Sequence, residues 1–438
     1  MKWHVIVREN IHDDVKFNNV KEYGKFYLDL FSGTPWRIKD RGLIDDLTRK
    51  NEIGINQYDL LVLAMVVFSI DHMIDRKYSD DNWQRNITIH LPVQKPEMWA
   101  KCEDILGNLL NFLSGDKWSF RFRKSSKSIK YQNKLYSSEH ICLFSGGADS
   151  LVGAIDLLEQ GKSVEFVGHH GKGITLIKQK EISNTLKKRY KNQTNFNFFF
   201  VEAPKIKSMA VETTTRARSF LFIALAACKY HCHEKSVNLY IPENGLISLN
   251  VPLTHSRTGS LSTKTTHPYY LMMYQKLFDT LGFDLKIISN YRFMTKGEMF
   301  RNCMNIELLN SLLKRSMSCS HPEQSRWTGR SPNLHCGRCL PCLIRKAAIK
   351  KAGLKDANYA TNVLSKAPDP SKKGGSDYRA IQMGLERFLL STNFNDYFLV
   401  KNSGPLGDNE IRQFISVYQR GMNELSTLLL NRTRDTIL

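Results

Sequence analysis

A short apolar run over residues 141–144 leads directly into Ser145-Gly146-Gly147-Ala148-Asp149-Ser150, and from there into a helical pattern over about 149–159. That order leaves the backbone little freedom: a buried strand, a turn that needs glycine, and a helix that begins where the turn ends. The same alternation recurs downstream. Residues 164–167, 197–201, 238–241 and 285–288 read as four further strands, with helices over about 174–190, 218–230 and 269–281 between them. Strands alternating with helices predict a parallel sheet covered on both faces, an α/β fold with five strands. In such sheets a ligand sits beyond the carboxyl ends of the strands, where the strand order reverses.

The turn has a chemistry of its own. A strand that opens a helix through two glycines collects free backbone N–H groups and the positive end of the helix dipole at one point, which suits an anion. Gly146 and Gly147 permit close backbone approach, and Ser145 and Ser150 add hydroxyl donors. Asp149 is left two roles, capping the helix or holding Mg²⁺ against a pyrophosphate. No Gly-Lys-Ser or Gly-Lys-Thr follows, so this is not a Walker loop.

Three of the nine cysteines fall in Cys336-Gly337-Arg338-Cys339-Leu340-Pro341-Cys342, and Cys319 precedes them. This is ligand spacing and an awkward disulfide framework, and four thiolates predict a closed, structural zinc site. His321 and His335 lie close by in sequence, but four cysteines need no fifth ligand. The remaining cysteines, Cys102, Cys142, Cys228, Cys232 and Cys303, stand alone in apolar or helical stretches and read as small buried side chains.

A chain of 438 residues with 42 % apolar content can bury a sizeable core in two or three units. Residues 1–135 have mixed patterning, with an alternating strand over 86–91 and a helix over 96–113, and read as an α+β domain. Residues 136–355 hold the alternating unit and the cysteines, and 356–438 form a helical extension beyond a linker at 368–376. Its last helix, from about Asp408, carries the stripe Ile411, Phe414, Ile415, Tyr418, Met422, Leu425 and Leu429, which reads as a packing face. No apolar signal core follows the N-terminus and the run over 60–70 is too short to span a bilayer, so a cytoplasmic protein with no membrane part is expected. The formal charge of +21 allows a nucleic-acid partner without requiring one.

The Ser-Gly-Gly-x-Asp-Ser loop resembles that of the PP-loop ATP pyrophosphatase superfamily, whose members hold ATP there and release pyrophosphate as an adenylate forms. The fold this implies is a doubly wound parallel sheet of the PP-loop (HUP) type in strand order 3-2-1-4-5. The cysteine cluster, followed by Arg345 and an Ala-rich helix, looks like the zinc motif of the QueC family, the 7-cyano-7-deazaguanine synthases. Residues 243–250 and 261–268, together with Asp81–Arg85 and Leu113–Trp118, resemble more closely the QueC-like proteins of Qat antiphage defence systems.

The resemblance implies an enzyme that uses ATP, Mg²⁺ and Zn²⁺. It would adenylate 7-carboxy-7-deazaguanine or a similar deazapurine and pass the acyl group to an amine, which can belong to a protein from the same defence operon. Its implied ATP and pyrophosphate site is Ser145, Gly146, Gly147, Asp149, Ser150, His169, His170, Arg216 and Arg218. Its implied substrate site is Glu243, Asn244, Thr265 and His267, its catalytic groups are Asp149, Arg218 and Lys264, and its zinc ligands are Cys319, Cys336, Cys339 and Cys342. A PP-loop enzyme that modifies tRNA or another nucleic acid, and a non-catalytic nucleotide-sensing subunit, remain alternatives at this point.

Overall fold

A chain that leaves one strand and must pair in parallel with the next needs a crossover, and helices supply it. In the computed structural model two successive sheets are all parallel, and helices supply the crossovers except between the first two strands, where no helix lies among the described residues. The structure describes residues 1–14, 23–130, 138–206, 212, 216–230, 236–254, 264–322, 334–356, 359–369, 373–431 and 433. The linker at 368–376 and the block at 261–268 therefore lie partly outside the described residues, as does Cys232.

The first sheet is built from β1 (Lys2–Arg8), β2 (Tyr23–Asp29), β3 (Asn86–Val93) and β4 (Lys117–Lys124) in the order β2-β1-β3-β4, with every pair parallel. Its helices are α1 (Leu43–Arg49), α2 (Ile55–Met73), α3 (Pro96–Ala100) and α4 (Glu103–Ser114). This corrects the α+β expectation for the N-terminal region: it is a parallel α/β unit. Strand direction is set by where the crossover α2 returns the chain, and local patterning does not carry that information. The helix expected over 96–113 is two helices, broken at Lys101 and Cys102.

The second sheet contains β5 (His140–Leu143), β6 (Val164–His170), β7 (Thr194–Phe200), β8 (Val237–Tyr240) and β9 (Leu285–Ile288) in the order β7-β6-β5-β8-β9, again all parallel. Counted within the unit this is 3-2-1-4-5, so the order reverses between β5 and β8. Its connections carry α5 (Ala148–Glu159), α6 (Thr175–Arg189), α7 (Arg218–Ala227), α8 (Gly245–Leu249) and α9 (Pro268–Leu281). Successive side chains of β5 point to opposite faces. Ile141 and Leu143 join the core under α7 and α9, while Cys142 and Phe144 join the core under α5 and α6. The chain continues through α10 (Lys296–Arg301), α11 (Ile306–Leu313) and α12 (Leu340–Ala352) to a C-terminal region of α13 (Ser376–Leu390), α14 (Asn393–Lys401) and α15 (Ile411–Leu429). Among the described residues no helix is long and apolar enough to cross a membrane.

The first sheet shares its core with α7 and α9 through α2, which is buried over most of its length. A buried ion network completes that junction. The Arg85 guanidinium donates to Asp71 at 2.7 Å and to Asp116 at 2.6 Å, and Arg76 donates to Asp116 at 2.8 Å. The second oxygen of Asp71 accepts the Ala217 N–H at 2.9 Å, just ahead of α7. The segments around Trp83 and Asp116 are therefore neighbours, held together by buried charge.

Removing one partner of such a network leaves the others charged and buried. Asp116→Ala is expected to cost about 3–5 kcal/mol in urea unfolding; a loss under about 1 kcal/mol, the scale of an exposed pair, would show the network to be dispensable.

Candidate active site and metal centre

The glycine turn sits at the carboxyl end of β5. Gly146 has φ +81°, a region that L side chains rarely adopt, and a Cβ there would lie 3.1 Å from Cγ of Gln179. The Ser145 hydroxyl accepts the Gly147 N–H at 3.2 Å and hydrogen-bonds Ser150 at 3.2 Å, so the two serines brace the turn from inside. The turn then opens the twelve-residue α5, whose first N–H groups have no partner within the helix.

Asp149 points away from the turn into the protein. Its Oδ1 lies 2.7 Å from the Lys296 ammonium, and its Oδ2 accepts from the side chain of Asn244 at 2.7 Å and its backbone N–H at 3.2 Å. Burial alone would raise its pKa, but the Lys296 charge, with hydrogen bonds from Glu243 and Asn244, holds it below the usual carboxylate range. Glu243 moves the other way. Burial, and then the Asp149 charge beside it, push it well above the usual range, so Glu243 is the protonated member of the pair and donates to Asp149. Asn244 is fully buried and caps α8 by accepting the Ile247 N–H at 3.1 Å. Asp149 is thus neither the helix cap nor an open cation ligand, because both of its oxygens are engaged.

Lys296 was not legible as a site residue. It enters through a capping box, in which the Thr295 hydroxyl accepts the Glu298 N–H at 3.1 Å and the Glu298 carboxylate accepts the Thr295 N–H at 2.9 Å. In sequence that box announces only a helix start. α15 clamps the same helix: Arg420 donates to Glu298 at 2.6 Å, and the Thr295 hydroxyl donates to Glu424 at 2.5 Å.

Arg218 begins α7. Its Nε donates to Nδ1 of His169 at 3.2 Å, which leaves the His169 proton on Nε2, where it donates to the Val201 carbonyl at 3.2 Å. Burial first, and the Arg218 charge second, lower the His169 pKa to about 3, so His169 is a neutral rest for the guanidinium. Among the described residues no carboxylate pairs with Arg218. Arg216 is turned toward the first sheet, donating to the Ser114 carbonyl at 2.8 Å with its guanidinium 4.6 Å from the Trp83 ring centre.

A cavity of about 710 Å³ opens at this point. Ser145, Ser150, Arg216, Arg218, Glu243 and Thr265 all line it, together with Thr175 and Lys178, which were not anticipated. Other expected residues lie behind or beside it. His170 is buried with its ring 5.6 Å from that of Phe200. His267 is buried as the cap of α9, its Nδ1 accepting the Tyr269 N–H at 3.2 Å and its Nε2 3.2 Å from the Ser403 hydroxyl. The Lys264 ammonium lies 4.2 Å from the Phe112 ring centre. Cys142 is fully buried and burial pushes its thiol up, so the strand before the turn offers no nucleophile.

Sulfur atoms of Cys319, Cys336, Cys339 and Cys342 all lie within 4.8 Å of one another, with Cys319 to Cys339 and Cys336 to Cys342 each at 3.9 Å. Those distances are far too long for disulfides, and they match the ~3.8 Å edge of a tetrahedron whose corners sit about 2.3 Å from a zinc ion. The N–H groups of His321 and Cys336 donate to the Cys319 sulfur at 3.3 and 3.2 Å, a polarity that favours thiolate. Gly337 makes the knuckle: its φ is +81°, and a Cβ would lie 2.0 Å from the Thr361 carbonyl oxygen. His335 flanks the cluster: its Nε2 donates to the Ser316 carbonyl at 3.1 Å and its Nδ1 lies 4.0 Å from the Cys342 sulfur. The four cysteines can therefore hold a metal such as zinc.

Glycine turn and cysteine cluster are separate in sequence but joined in space by residues 317–319. The Met317 N–H donates to the Gly146 carbonyl at 2.9 Å, the Ser318 hydroxyl accepts the Ala148 N–H at 3.2 Å, and the next residue is the ligand Cys319. A metal held by the four cysteines would therefore be mechanically linked to the shape of the turn. No protein-family model, curated protein or solved structure matches the chain.

Two outcomes follow from the arrangement. Cys342→Ser is expected to lose the metal, and amide exchange over 145–150 should speed by about tenfold or more as local protection falls by ~1.4 kcal/mol; unchanged exchange in the metal-free variant would break the proposed link. Burial raises the Glu424 pKa to about 7. A carboxyl with a raised folded pKa contributes stability that is complete below its unfolded value and is lost as pH rises through the folded one. Between pH 5 and pH 8 the wild type should therefore lose on the order of 2 kcal/mol that Glu424→Gln retains, read as the difference between the two melting profiles.

Proposed function

We propose that the chain is a QueC-like, PP-loop-type ATP pyrophosphatase of antiphage defence, acting in the cytoplasm. In this reading it adenylates the carboxylate of 7-carboxy-7-deazaguanine or a similar deazapurine, releases pyrophosphate, and passes the acyl group to an amine, which a partner protein can supply. The observation that carries the proposal is the convergence of the glycine turn, Arg218 and Glu243 on one cavity at the carboxyl ends of β5 and β8, where the strand order reverses.

Each residue has a role suited to its surroundings. Amides of the first turn of α5 receive the β- and γ-phosphates of ATP, while the Ser145 and Ser150 hydroxyls hold the turn that presents them. Arg218, resting on a neutral histidine, is free to follow charge as it develops on the α-phosphate; Lys178, which lines the cavity where Lys264 does not, would leave its 2.9 Å ion pair with Glu181 to add a second cation. Glu243, protonated toward Asp149, keeps an oxygen to accept from the N–H edge of a purine-like ring.

In the chemical step a substrate carboxylate oxygen attacks the α-phosphorus while its bond to the pyrophosphate oxygen breaks. The amine nitrogen then attacks the acyl carbon, AMP departs and the nitrogen loses a proton. Positioning and preorganised charge supply the acceleration. Asp149 is committed to Lys296 and Asn244, so its geometry does not fit a Mg²⁺ ligand. A zinc ion on the four cysteines would be closed to substrate and would steady residues 317–319 against the turn.

Pyrophosphate release with ATP and 7-carboxy-7-deazaguanine tests the reading. Arg218→Ala is expected to lower the turnover rate by about 10²–10³ with a melting temperature near that of the wild type. Release that is absent in the wild type, or equal in both proteins, would sink it.

A further inference from the structure

The order β2-β1-β3-β4 leaves β4 at an edge of the first sheet. Its ladder with β3 shows which backbone groups that pairing uses. The Lys117 N–H donates to the Arg85 carbonyl at 2.8 Å and the Ser125 N–H to the Val93 carbonyl at 2.9 Å, so the odd-numbered residues turn their backbone groups toward β3. In a parallel ladder the residues between them turn theirs the other way. Along Trp118, Phe120 and Phe122 the strand therefore presents a row of donors and acceptors outward. Among the described residues a single group of that row has a partner, the Phe120 carbonyl, which accepts from the Arg121 guanidinium at 2.9 Å.

A groove of about 350 Å³ runs beside this edge, between β4 and α4. The helix returns along the strand: Asn111 donates to the Asp116 carbonyl at 3.1 Å, and a Cβ on Gly107 would lie 3.6 Å from the Trp118 carbonyl oxygen. Gly107 keeps that wall low, so the outward carbonyl is not covered. On the strand side Lys117, Ser119 and Arg121 are exposed and line the groove. Among the described residues no carboxylate pairs with Lys117 or Arg121, whereas Arg123 is held by Asp13 at 2.8 Å. The groove shares no lining residue with the cavity at the glycine turn.

We infer that the open edge of β4 is a docking site for an extended, acidic segment of a partner protein, which adds to the first sheet as a further strand. A peptide is the polymer that fits, because the outward row asks for both donors and acceptors at strand spacing, and the phosphates of a nucleic acid supply acceptors alone. Charge then selects among peptides. Alternate side chains of the added strand share a face, and those beside Lys117 and Arg121 are favoured when acidic, since opposite charges across a strand pair attract and like charges repel. The same rule rejects a second copy: β4 carries Lys117, Arg121, Arg123 and Lys124 and no acid, so β4 against β4 sets cations against cations. Cations on an edge guard it against indiscriminate pairing, and here they leave one class of partner admissible. Because the groove is separate from the cavity, the inference stands apart from the proposed adenylation.

Fluorescence polarisation of the full chain with short labelled peptides tests it, using an alternating Glu-Val peptide, its Lys-Val counterpart and the Glu-Val peptide with every amide N-methylated. The acidic peptide should bind about tenfold or more tighter than the basic one, and methylation, which removes the backbone donors, should abolish binding. Amide exchange over 118–124 should slow by about tenfold or more in the complex, as the outward N–H groups gain partners. Arg121→Glu, at an exposed position, should weaken the acidic peptide by about tenfold and strengthen the basic one. No binding, equal affinity for the three peptides, no added protection over 118–124, or an unchanged affinity in a folded Arg121→Glu protein would each overturn the inference. So would an oligothymidylate that displaces the acidic peptide, or self-association of the chain that the peptide blocks, which would assign the edge to nucleic acid or to a second copy. The wild-type peptide series and exchange decide by themselves if the variant fails to fold.

Discussion

The ion pair between Asp149 and Lys296 ties together three elements that are far apart in sequence. Asp149 belongs to the first turn of α5, Lys296 opens α10, and Asn244, which shares the carboxylate, ends the β8 connection and starts α8. A buried charge pair is weak evidence of net stability, since desolvation offsets much of the attraction, but its geometry is strict. With Lys296 in place, α10 sits where α15 can clamp it, and α15 closes the far side of the cavity. The protonated Glu243 is a consequence of the same pair: only one of two adjacent carboxyls can ionise in that setting.

The cysteine cluster acts on the turn by contact. Residues 317–319 carry a backbone donor to Gly146, a hydroxyl acceptor for Ala148 and a sulfur ligand within three positions. Four thiolates brought this close repel one another unless a cation sits among them, so the segment is positioned best when the metal is bound. A structural metal centre can therefore set the shape of a binding turn without touching what the turn binds.

Much of the second sheet was legible residue by residue. Strand β5, the glycine turn and α5 are local patterns, and the Cys336, Cys339 and Cys342 spacing is a local statement about a knuckle; Ser145, Ser150, Arg218 and Glu243 do reach one cavity. The sites that escaped are those whose meaning depends on a distant partner. Lys296 looks like an ordinary lysine at a helix start until Asp149 is placed against it. His267 looks like a ligand until Tyr269 and Ser403 claim both of its nitrogens. Trp83, Arg85 and Asp116 looked like separate motifs and form one junction, because Arg85 needs carboxylates from two elements to be buried at all.

By itself the sequence determined where the chain turns, which strands are buried on both faces, and which four sulfurs can share a metal, because those properties depend on periodicity and on neighbours a few residues apart. Tertiary structure alone decided that the N-terminal strands run parallel, that Asp149 faces Lys296 and not the open turn, that the stripe on α15 faces a cavity as well as a core, and that the cysteines reach the glycine turn through residues 317–319. Each of these is a pairing across long stretches of chain. Strand direction, charge burial and cavity walls are settled only when crossovers and packing bring both partners to one place.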